Sequence, residues 1–200
     1  MINKLPFFNK IHFYQTTILV FIFSLSLLGC SKNTNEVQIN LAKLKMTKAC
    51  SGCDLSGIEL INFNLKNADI SGANLAGANL KRSDLTGANL TDTNLNGADL
   101  LGVNLMGAKL TNTNLTGVKL SYANLSEVEM SNVMLGGAKL NNAKVVNSSI
   151  SYSDMTGANL YNANLTDTRV SDKTLKDTIL CQTIMPSGKT ENRSCRRSVL

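Results

Sequence analysis

The stretch LTGANLTDTNLNGADL, residues 85–100, carries a leucine at every fifth position. This spacing does not suit an α-helix, in which steps of 100° per residue scatter the leucines around the axis, or a strand, in which odd spacing alternates the faces. It fits a chain that turns a corner once in every five-residue unit. Four units then close a square coil of about 20 residues, and stacking places each leucine over the one in the previous coil.

The spacing of five extends over most of the chain. From Leu55 to Leu180 every fifth residue is Leu, Ile, Met or Val, and this register of about 26 positions indicates a repeat architecture. The residue two positions earlier is usually small, and Gly, Asn and Asp are common two positions later, where the backbone turns. Each unit therefore has one large and one small inward side chain. One predicted ladder consists of Leu60, Leu80, Leu100, Leu120, Leu140, Leu160 and Leu180.

The units ANLAG, ANLKR, ANLTD, ADLLG and ANLYN resemble the A(D/N)LXX unit of the pentapeptide-repeat family. The resemblance covers residues 53–182 and implies an all-β solenoid, a right-handed quadrilateral β-helix of about six and a half coils. The open ends of a solenoid must be capped, because their unpaired strand edges would otherwise pair with other chains. We predict an N-terminal cap with a short helix over residues 39–52, and a C-terminal cap with a hairpin and a basic tail over residues 183–200. The CxxCDLSG start and the MPxG ending, which recur in this family, favour both caps.

The first residues have the pattern of an export signal. Residues 1–15 carry two lysines and no acidic residue, and an apolar run of about 13 residues follows, too short to span a bilayer. The run ends in LLGC, residues 27–30, which resembles the bacterial lipobox. The resemblance implies that a lipoprotein-type signal peptide, residues 1–29, is cleaved between Gly29 and Cys30, and that Cys30 receives lipid chains such as palmitate. The alternative is an uncleaved membrane anchor with an incidental Cys30.

A lipidated Cys30 would hold the mature chain on a membrane surface through its buried acyl chains. Residues 30–38 would then form the lipidated N-terminus and a flexible polar linker. Ser31 follows the cysteine, and the resemblance to lipoproteins of double-membraned bacteria implies that the absence of Asp there favours the outer membrane over the inner one. We therefore expect an exported cell-envelope protein, anchored to the outer membrane and facing the periplasm, with membrane lipid as a partner.

Four further cysteines form two local pairs, Cys50 with Cys53 and Cys181 with Cys195. Export favours disulfide bonds, and a bond from Cys181 to Cys195 would hold the predicted hairpin in place. The two pairs lie at opposite ends of a solenoid about 30 Å long, so they cannot share one metal ion. Cys53 occupies a small inward position, which favours packing or a local disulfide. A CxxC thiol-disulfide oxidoreductase stays an alternative, and it requires a reactive, exposed Cys50.

Little in the sequence favours catalysis. The only histidine, His12, lies in the predicted signal peptide, so the mature chain lacks histidine as a general base and as a metal ligand. Carboxylates stand mostly just before the leucine, where they interchange with Asn as surface residues do. The sequence shows no phosphate-binding loop and no metal-ligand cluster. We predict that the protein is not an enzyme and has no catalytic residue, cofactor, metal or small-molecule substrate.

One side of the predicted coil is the best candidate surface for a partner. It is the side of the ladder that contains Leu60, Leu80 and Leu100, and its outward positions mix aliphatic, aromatic and basic side chains, as protein interfaces do. The alternative is a set of scattered surface residues without a partner. This candidate partner surface consists of Ile61, Lys81, Arg82, Leu101, Lys119, Tyr122, Lys139 and Tyr161.

The family resemblance offers a second alternative, because some pentapeptide-repeat proteins imitate DNA and bind DNA gyrase. The predicted coils carry about 12 acidic and about 10 basic residues, which does not imitate duplex charge, and no loop interrupts the repeats. Export would also separate the chain from gyrase. We expect a membrane-anchored, non-enzymatic lipoprotein that provides a rigid surface for protein-protein interaction or envelope structure, with an unidentified protein partner and no nucleic acid.

Overall fold

The computed structural model describes residues 32–195. The predicted signal peptide, its cleavage site at Gly29 and the lipidation site at Cys30 lie outside the described residues. The chain divides into two units between residues 36 and 37, and all the coils belong to the second unit.

The second unit is built from coils of twenty residues. Parallel β-bridges connect residues twenty positions apart, beginning with Ala49 and Asp69, and successive bridges follow each other at intervals of five residues. Four bridge positions therefore complete one coil and give it four sides. Longer pairing occurs between β1 (Glu129–Ser131) and β2 (Ser149–Ser151), which are parallel. The four-sided β-helical coil predicted from the spacing of five is confirmed.

The fifth-position side chains fill the interior of the coil. Every member of the ladder that runs from Leu60 to Leu180 is at most 2% exposed. The smaller inward residues, such as Ala98 and Ala138, are buried as well. Burying one leucine side chain stabilises the fold by about 1.5–3 kcal/mol, so the stacked leucines are the main source of stability.

Residues with positive φ form the corners of the coil, two positions after the leucine. At Gly97 φ is 65°, and at Asn112 it is 57°. Gly adopts this left-handed conformation without steric cost and Asn tolerates it, whereas for other L-residues it costs about 1–2 kcal/mol. Several corners nevertheless carry other side chains: Arg82, Tyr122, Glu127, Tyr152 and Gln182.

Hydroxyl side chains replace Ala at several of the small inward positions. Thr93 Oγ1 donates to the carbonyl of Ile70 at 3.0 Å, and Thr113 Oγ1 donates to the carbonyl of Leu90 at 2.9 Å. In both cases the acceptor lies 23 residues earlier, in the preceding coil. Among the described residues, no buried side-chain nitrogen or oxygen lacks a hydrogen-bond partner. Polar groups in the core are therefore compensated, as a buried hydroxyl requires.

Helix α1 (Lys32–Thr47) precedes the coils. Leu44 is fully buried and Leu41 packs against the core, while the Asn40 side chain donates to the carbonyl of Asp54 at 3.0 Å. The predicted flexible linker over residues 30–38 needs correction, because α1 already includes residues 32–38. No Gly or Pro occurs within α1 to end it, so the helix continues through this polar stretch.

The chain closes with a short hairpin. Strands β3 (Thr183–Ile184) and β4 (Thr190–Glu191) pair antiparallel, and the Met185 N–H donates to the carbonyl of Lys189 at 2.8 Å across the turn. Beyond the hairpin, the Arg193 guanidinium donates to the carbonyl of Leu175. The basic tail after residue 195 lies outside the described part of the chain.

One helical turn interrupts the repeats. Helix α2 (Asp172–Leu175) stands where a regular five-residue unit is expected, and the Ser171 hydroxyl caps it by accepting from the Thr174 N–H at 3.2 Å. The small inward position of this unit would hold Lys173, and burying an unpaired ammonium group is prohibitively unfavourable. The expectation of uninterrupted repeats is therefore wrong at residues 171–177.

Candidate functional site

The eight residues of the candidate partner surface occupy outward positions along one side of the coil. Tyr122 is 67% exposed and Ile61 is 47% exposed. The coil register places residues twenty positions apart in adjacent coils, and Lys119 and Lys139 form such a pair. The remaining members are exposed or half-buried: Lys81, Arg82, Leu101 and Tyr161.

A carboxylate that the sequence analysis did not select lies within this surface. Asp99 Oδ2 is 3.2 Å from Lys81 Nζ and 3.3 Å from Lys119 Nζ. Partial burial raises the pKa of Asp99, but hydrogen bonds from the Leu101 N–H and from both lysines outweigh it, so the pKa lies below its usual value. The ionised Asp99 offsets part of the positive charge of the surface. The twenty-residue separation of Asp99 and Lys119 was the signal in the sequence.

Two members of the surface stand at corners with unfavourable backbone geometry. Arg82 has a φ of 55° and Tyr122 a φ of 60°. Each costs about 1–2 kcal/mol relative to Gly, and an exposed side chain gains little burial in return. Stability therefore does not explain these two side chains. Backbone strain at exposed residues is typical of functional positions.

A second candidate site, which the sequence analysis missed, lies where α2 interrupts the repeats. A cavity of about 590 Å³ separates residues 151–156 from residues 171–177, and we call it the coil gap. Tyr152, at its edge, is 90% exposed and stands at a corner with a φ of 51°. Lys173 at a position otherwise reserved for small or apolar residues was the sequence signal for this gap.

The coil gap exposes backbone groups that are paired elsewhere in the coils. In a regular coil the fifth-position N–H donates to a carbonyl 19 residues later, as Leu135 does to Asp154 at 2.7 Å. Among the described residues, the N–H groups of Tyr152 and Met155 have no such partner. Pairing resumes one residue out of register at Gly157, whose N–H donates to the carbonyl of Asp177 at 2.8 Å, and the regular separation of 19 returns at Leu160, whose N–H donates to the carbonyl of Ile179 at 2.9 Å. The gap therefore presents an open edge about one unit long.

The structure places both predicted cysteine pairs in disulfide bonds, Cys50 with Cys53 and Cys181 with Cys195. Cys50 is fully buried, and Cys53 is 8% exposed. Thiol-disulfide exchange requires an accessible sulfur atom. The geometry therefore fits a structural bond and disfavours the oxidoreductase alternative.

Within residues 32–195, no group of three or more His, Cys, Asp or Glu side chains is arranged to hold a metal ion. In the same part of the chain, no helix has the length and apolarity needed to cross a membrane.

Comparisons with known proteins identify several relatives. HetL, a pentapeptide repeat protein involved in heterocyst differentiation regulation from the cyanobacterium Nostoc sp. strain PCC 7120, is 30% identical over 72% of this chain and 74% of that chain, with a TM-score of 0.48. Trypsin-treated QnrB1, a plasmid-mediated fluoroquinolone resistance protein, is 21% identical over 74% of this chain and 79% of that chain, with a TM-score of 0.48. A pentapeptide repeat protein of the Arabidopsis thaliana thylakoid lumen is 28% identical over 63% of this chain and 71% of that chain, with a TM-score of 0.19.

A comparison with curated proteins finds no match. The family model for pentapeptide repeats matches eight copies, which lie within residues 50–87, 83–121, 108–145, 123–167 and 146–177. These matches cover more than half of the chain, and they include the four-sided coils up to residue 170 together with the interrupted unit at residues 171–177. The chain therefore belongs to the pentapeptide repeat family, whose fold is a right-handed quadrilateral β-helix.

Proposed function

We propose that the protein is a membrane-anchored, non-enzymatic lipoprotein of the cell envelope whose coils present a rigid surface to a protein partner. Proteins of this family are generally non-enzymatic structural or interaction proteins. The observation that carries the proposal is the presence of Arg82 and Tyr122, exposed on one side of the coil, at left-handed corners where Gly or Asn is more stable.

The backbone of the coil supports this role. The N–H of Arg82 donates to the carbonyl of Leu101, and the N–H of Tyr122 donates to the carbonyl of Asn141, both at 2.9 Å. These bonds hold each corner against the next coil. A preorganised surface loses little conformational entropy when a partner binds, so a small number of exposed aromatic and basic groups is enough for recognition.

The anchoring part of the proposal rests on the LLGC stretch at residues 27–30 and on the polar character of the chain that follows it. We place the protein at the outer membrane, facing the periplasm, with lipid on Cys30. Disulfide bonds at both ends of the coils suit that oxidising compartment. In this proposal α1 and the hairpin of β3 and β4 cap the two ends and prevent coils of different molecules from pairing.

The two other functions have less support. A gyrase-binding DNA mimic needs a strongly acidic surface, whereas lysines surround Asp99 on the candidate partner surface. An oxidoreductase needs an exposed Cys50, and Cys50 is buried.

Intact mass and membrane fractionation of the wild-type chain beside a Cys30→Ala variant test the anchoring. We expect the wild type to lose residues 1–29, to gain the mass of lipid and to sediment with membranes, while the variant does none of these. Wild-type protein that stays unmodified in the cytosol would rule out the anchor and make gyrase binding the next function to test.

Site-specific cross-linking in cells tests the surface. A photoreactive residue at Tyr161, which is half-buried on the same side, should trap a partner in the wild type. We expect the double variant Arg82→Asn, Tyr122→Asn to reduce the yield at least tenfold, because Asn fits the corners but removes the contacts. Tyr152→Asn, at a corner outside this surface, is the matched control and should leave the yield unchanged. Equal yields from all three chains would contradict the surface assignment.

A further inference from the structure

The coil gap is lined by three backbone groups that a regular coil would pair. Among the described residues, the N–H groups of Tyr152 and Met155 donate to no backbone carbonyl, and the carbonyl of Ser153 accepts from no backbone N–H. Met155 lines the gap and is only 2% exposed. A buried backbone donor without a partner costs about 1–3 kcal/mol, so the fold keeps an unfavourable feature at this place.

The preceding coil shows which segment satisfies such an edge. There the equivalent N–H groups, those of Asn132 and Leu135, donate to the carbonyls of Ser151 and Asp154 at 3.0 and 2.7 Å. The equivalent carbonyl, that of Val133, accepts from the Asp154 N–H at 3.0 Å. Four consecutive residues therefore satisfy all three groups, through the carbonyl of the first residue and through the N–H and carbonyl of the fourth.

The volume of the coil gap agrees with this length. A strand rises about 3.3 Å per residue, lies about 4.8 Å from its neighbour and belongs to a layer about 10 Å thick, which gives about 160 Å³ per residue. The cavity of about 590 Å³ therefore holds about four residues. Leu175, which is 1% exposed, already fills the core position that follows, so the segment needs no large inward side chain.

Other occupants match this array of groups poorly. A small anion would meet the carbonyl of Ser153 and the carboxylates of Asp154 and Asp177 beside the two N–H groups. The gap of a second copy offers the same two donors and one acceptor, so two gaps brought together would leave donors unpaired. An extended polypeptide carries carbonyl and N–H groups at the required intervals.

We propose that the coil gap binds an extended segment of a partner protein as an added parallel strand, with three main-chain hydrogen bonds to Tyr152, Ser153 and Met155. The second residue of the segment stands at the corner and is Gly or Asn, and the third faces inward and is small, as Gly72 and Ala73 are at the equivalent positions of an earlier coil. The main-chain bonds supply affinity, and these two positions supply selectivity. This site goes beyond the proposed function, because it uses neither the candidate partner surface nor the lipid anchor.

A peptide titration tests the proposal. The probe is acetyl-Ser-Gly-Ala-Asn-amide, which has the sequence of residues 71–74, the equivalent segment of a regular coil. It is added to the isotope-labelled full-length chain, and the hydrogen exchange of single N–H groups is followed by NMR. When the peptide saturates the site, we expect the Met155 N–H to exchange at least tenfold more slowly. The Leu135 N–H, which is already paired with Asp154, is the internal control and should not change.

Two modified peptides separate strand addition from non-specific contact. Methylation of the peptide nitrogen of Asn removes the donor to Ser153, and replacement of Ala by Leu places a large side chain at the inward position. We expect each change to weaken binding at least tenfold. Equal binding of all three peptides would overturn the proposal, and so would an unchanged Met155 N–H at every soluble peptide concentration. Equal protection by inorganic phosphate, or protection that rises with protein concentration alone, would also overturn it, in favour of an anion site or of pairing between copies.

Discussion

The Thr113 hydroxyl donates a 2.9 Å hydrogen bond to the carbonyl of Leu90, which precedes it by 23 residues and belongs to the neighbouring coil. Thr113 is fully buried. The bond therefore joins two coils inside the core, where each of its atoms would otherwise lose its solvation.

Thr113→Val isolates the contribution of this bond. Val118 and Val128 occupy the same inward position in other units and are at most 1% exposed, so the shape of valine is accepted there. We expect the free energy of unfolding to fall by about 0.5–1.5 kcal/mol, measured by urea denaturation. Thr111→Val, at a half-buried position that faces outward, is the control and should change the free energy of unfolding by less than about 0.5 kcal/mol. Equal effects of the two substitutions would show that the bond contributes nothing.

Tyr122→Asn is expected to make the protein more stable. The φ of 60° at Tyr122 is unfavourable for tyrosine, and the equivalent corners of the next two coils carry Asn142 and Asn162. The gain should be about 1 kcal/mol in the free energy of unfolding. Tyr161→Asn, at a position without positive φ, serves as the comparison and should not stabilise. A loss of stability in Tyr122→Asn would mean that the tyrosine contributes to the fold and not to recognition.

Acid should destabilise the coils in part through Asp84. Hydrogen bonds from the Thr86 hydroxyl and N–H lower the pKa of Asp84 below its ordinary value of 3.8, against a smaller opposing effect of burial. Because the folded pKa is the lower one, the contribution to stability is complete above the unfolded pKa and disappears as the pH falls through the folded pKa.

Asp84→Asn should therefore lower the free energy of unfolding at neutral pH by the contribution of the ionised carboxylate, and its difference from the wild type should disappear as the pH falls below about pH 4. Asn is the commonest residue at this position of the units, so the variant is expected to fold. Urea denaturation at a series of pH values measures the effect. Asp92→Asn, at an exposed corner, is the matched charge removal, and identical curves for the two variants would contradict the assignment.

Lys173→Ala should close the coil gap. Alanine suits the small inward position that lysine cannot occupy, so residues 171–175 could adopt a regular unit and pair with residues 151–155. We expect slower hydrogen exchange at the Met155 N–H, by at least tenfold, as the group gains a partner. Lys176→Ala, at an outward position, should leave this exchange rate unchanged. An unchanged rate in Lys173→Ala would show that the capping of α2 by Ser171, and not the lysine, keeps the gap open.

Local chemistry explains why so much of the coil could be predicted. Each unit carries the same local preferences, a leucine in every fifth position and Gly, Asn or Asp at the corner. Each unit also contacts only its neighbours. Four such units close one coil, so residues twenty positions apart are stacked. This is how Leu100 was placed between Leu80 and Leu120. The same reasoning placed the candidate partner surface on one side.

The error at residues 171–177 had a readable cause. Leu175 keeps the spacing of five, and it is buried as expected. The spacing of the leucines, however, gives no information about the residue two positions before each of them. Lys173 cannot enter the core, so the chain forms the helical turn α2 at this unit in place of a regular side of the coil. The cavity beside Tyr152 is the consequence.

The sequence alone determined the coil, its core and the disulfide candidates, because these depend on side-chain size, backbone preference and short distances along the chain. Only the tertiary structure decided which groups meet between coils. The hydroxyl of Thr113 reaches Leu90, Asp99 lies between Lys81 and Lys119, and α1 keeps Met46 exposed on the side opposite the coils. Such contacts depend on side-chain direction and on the chemistry of a residue twenty or more positions away, which no single repeat unit contains.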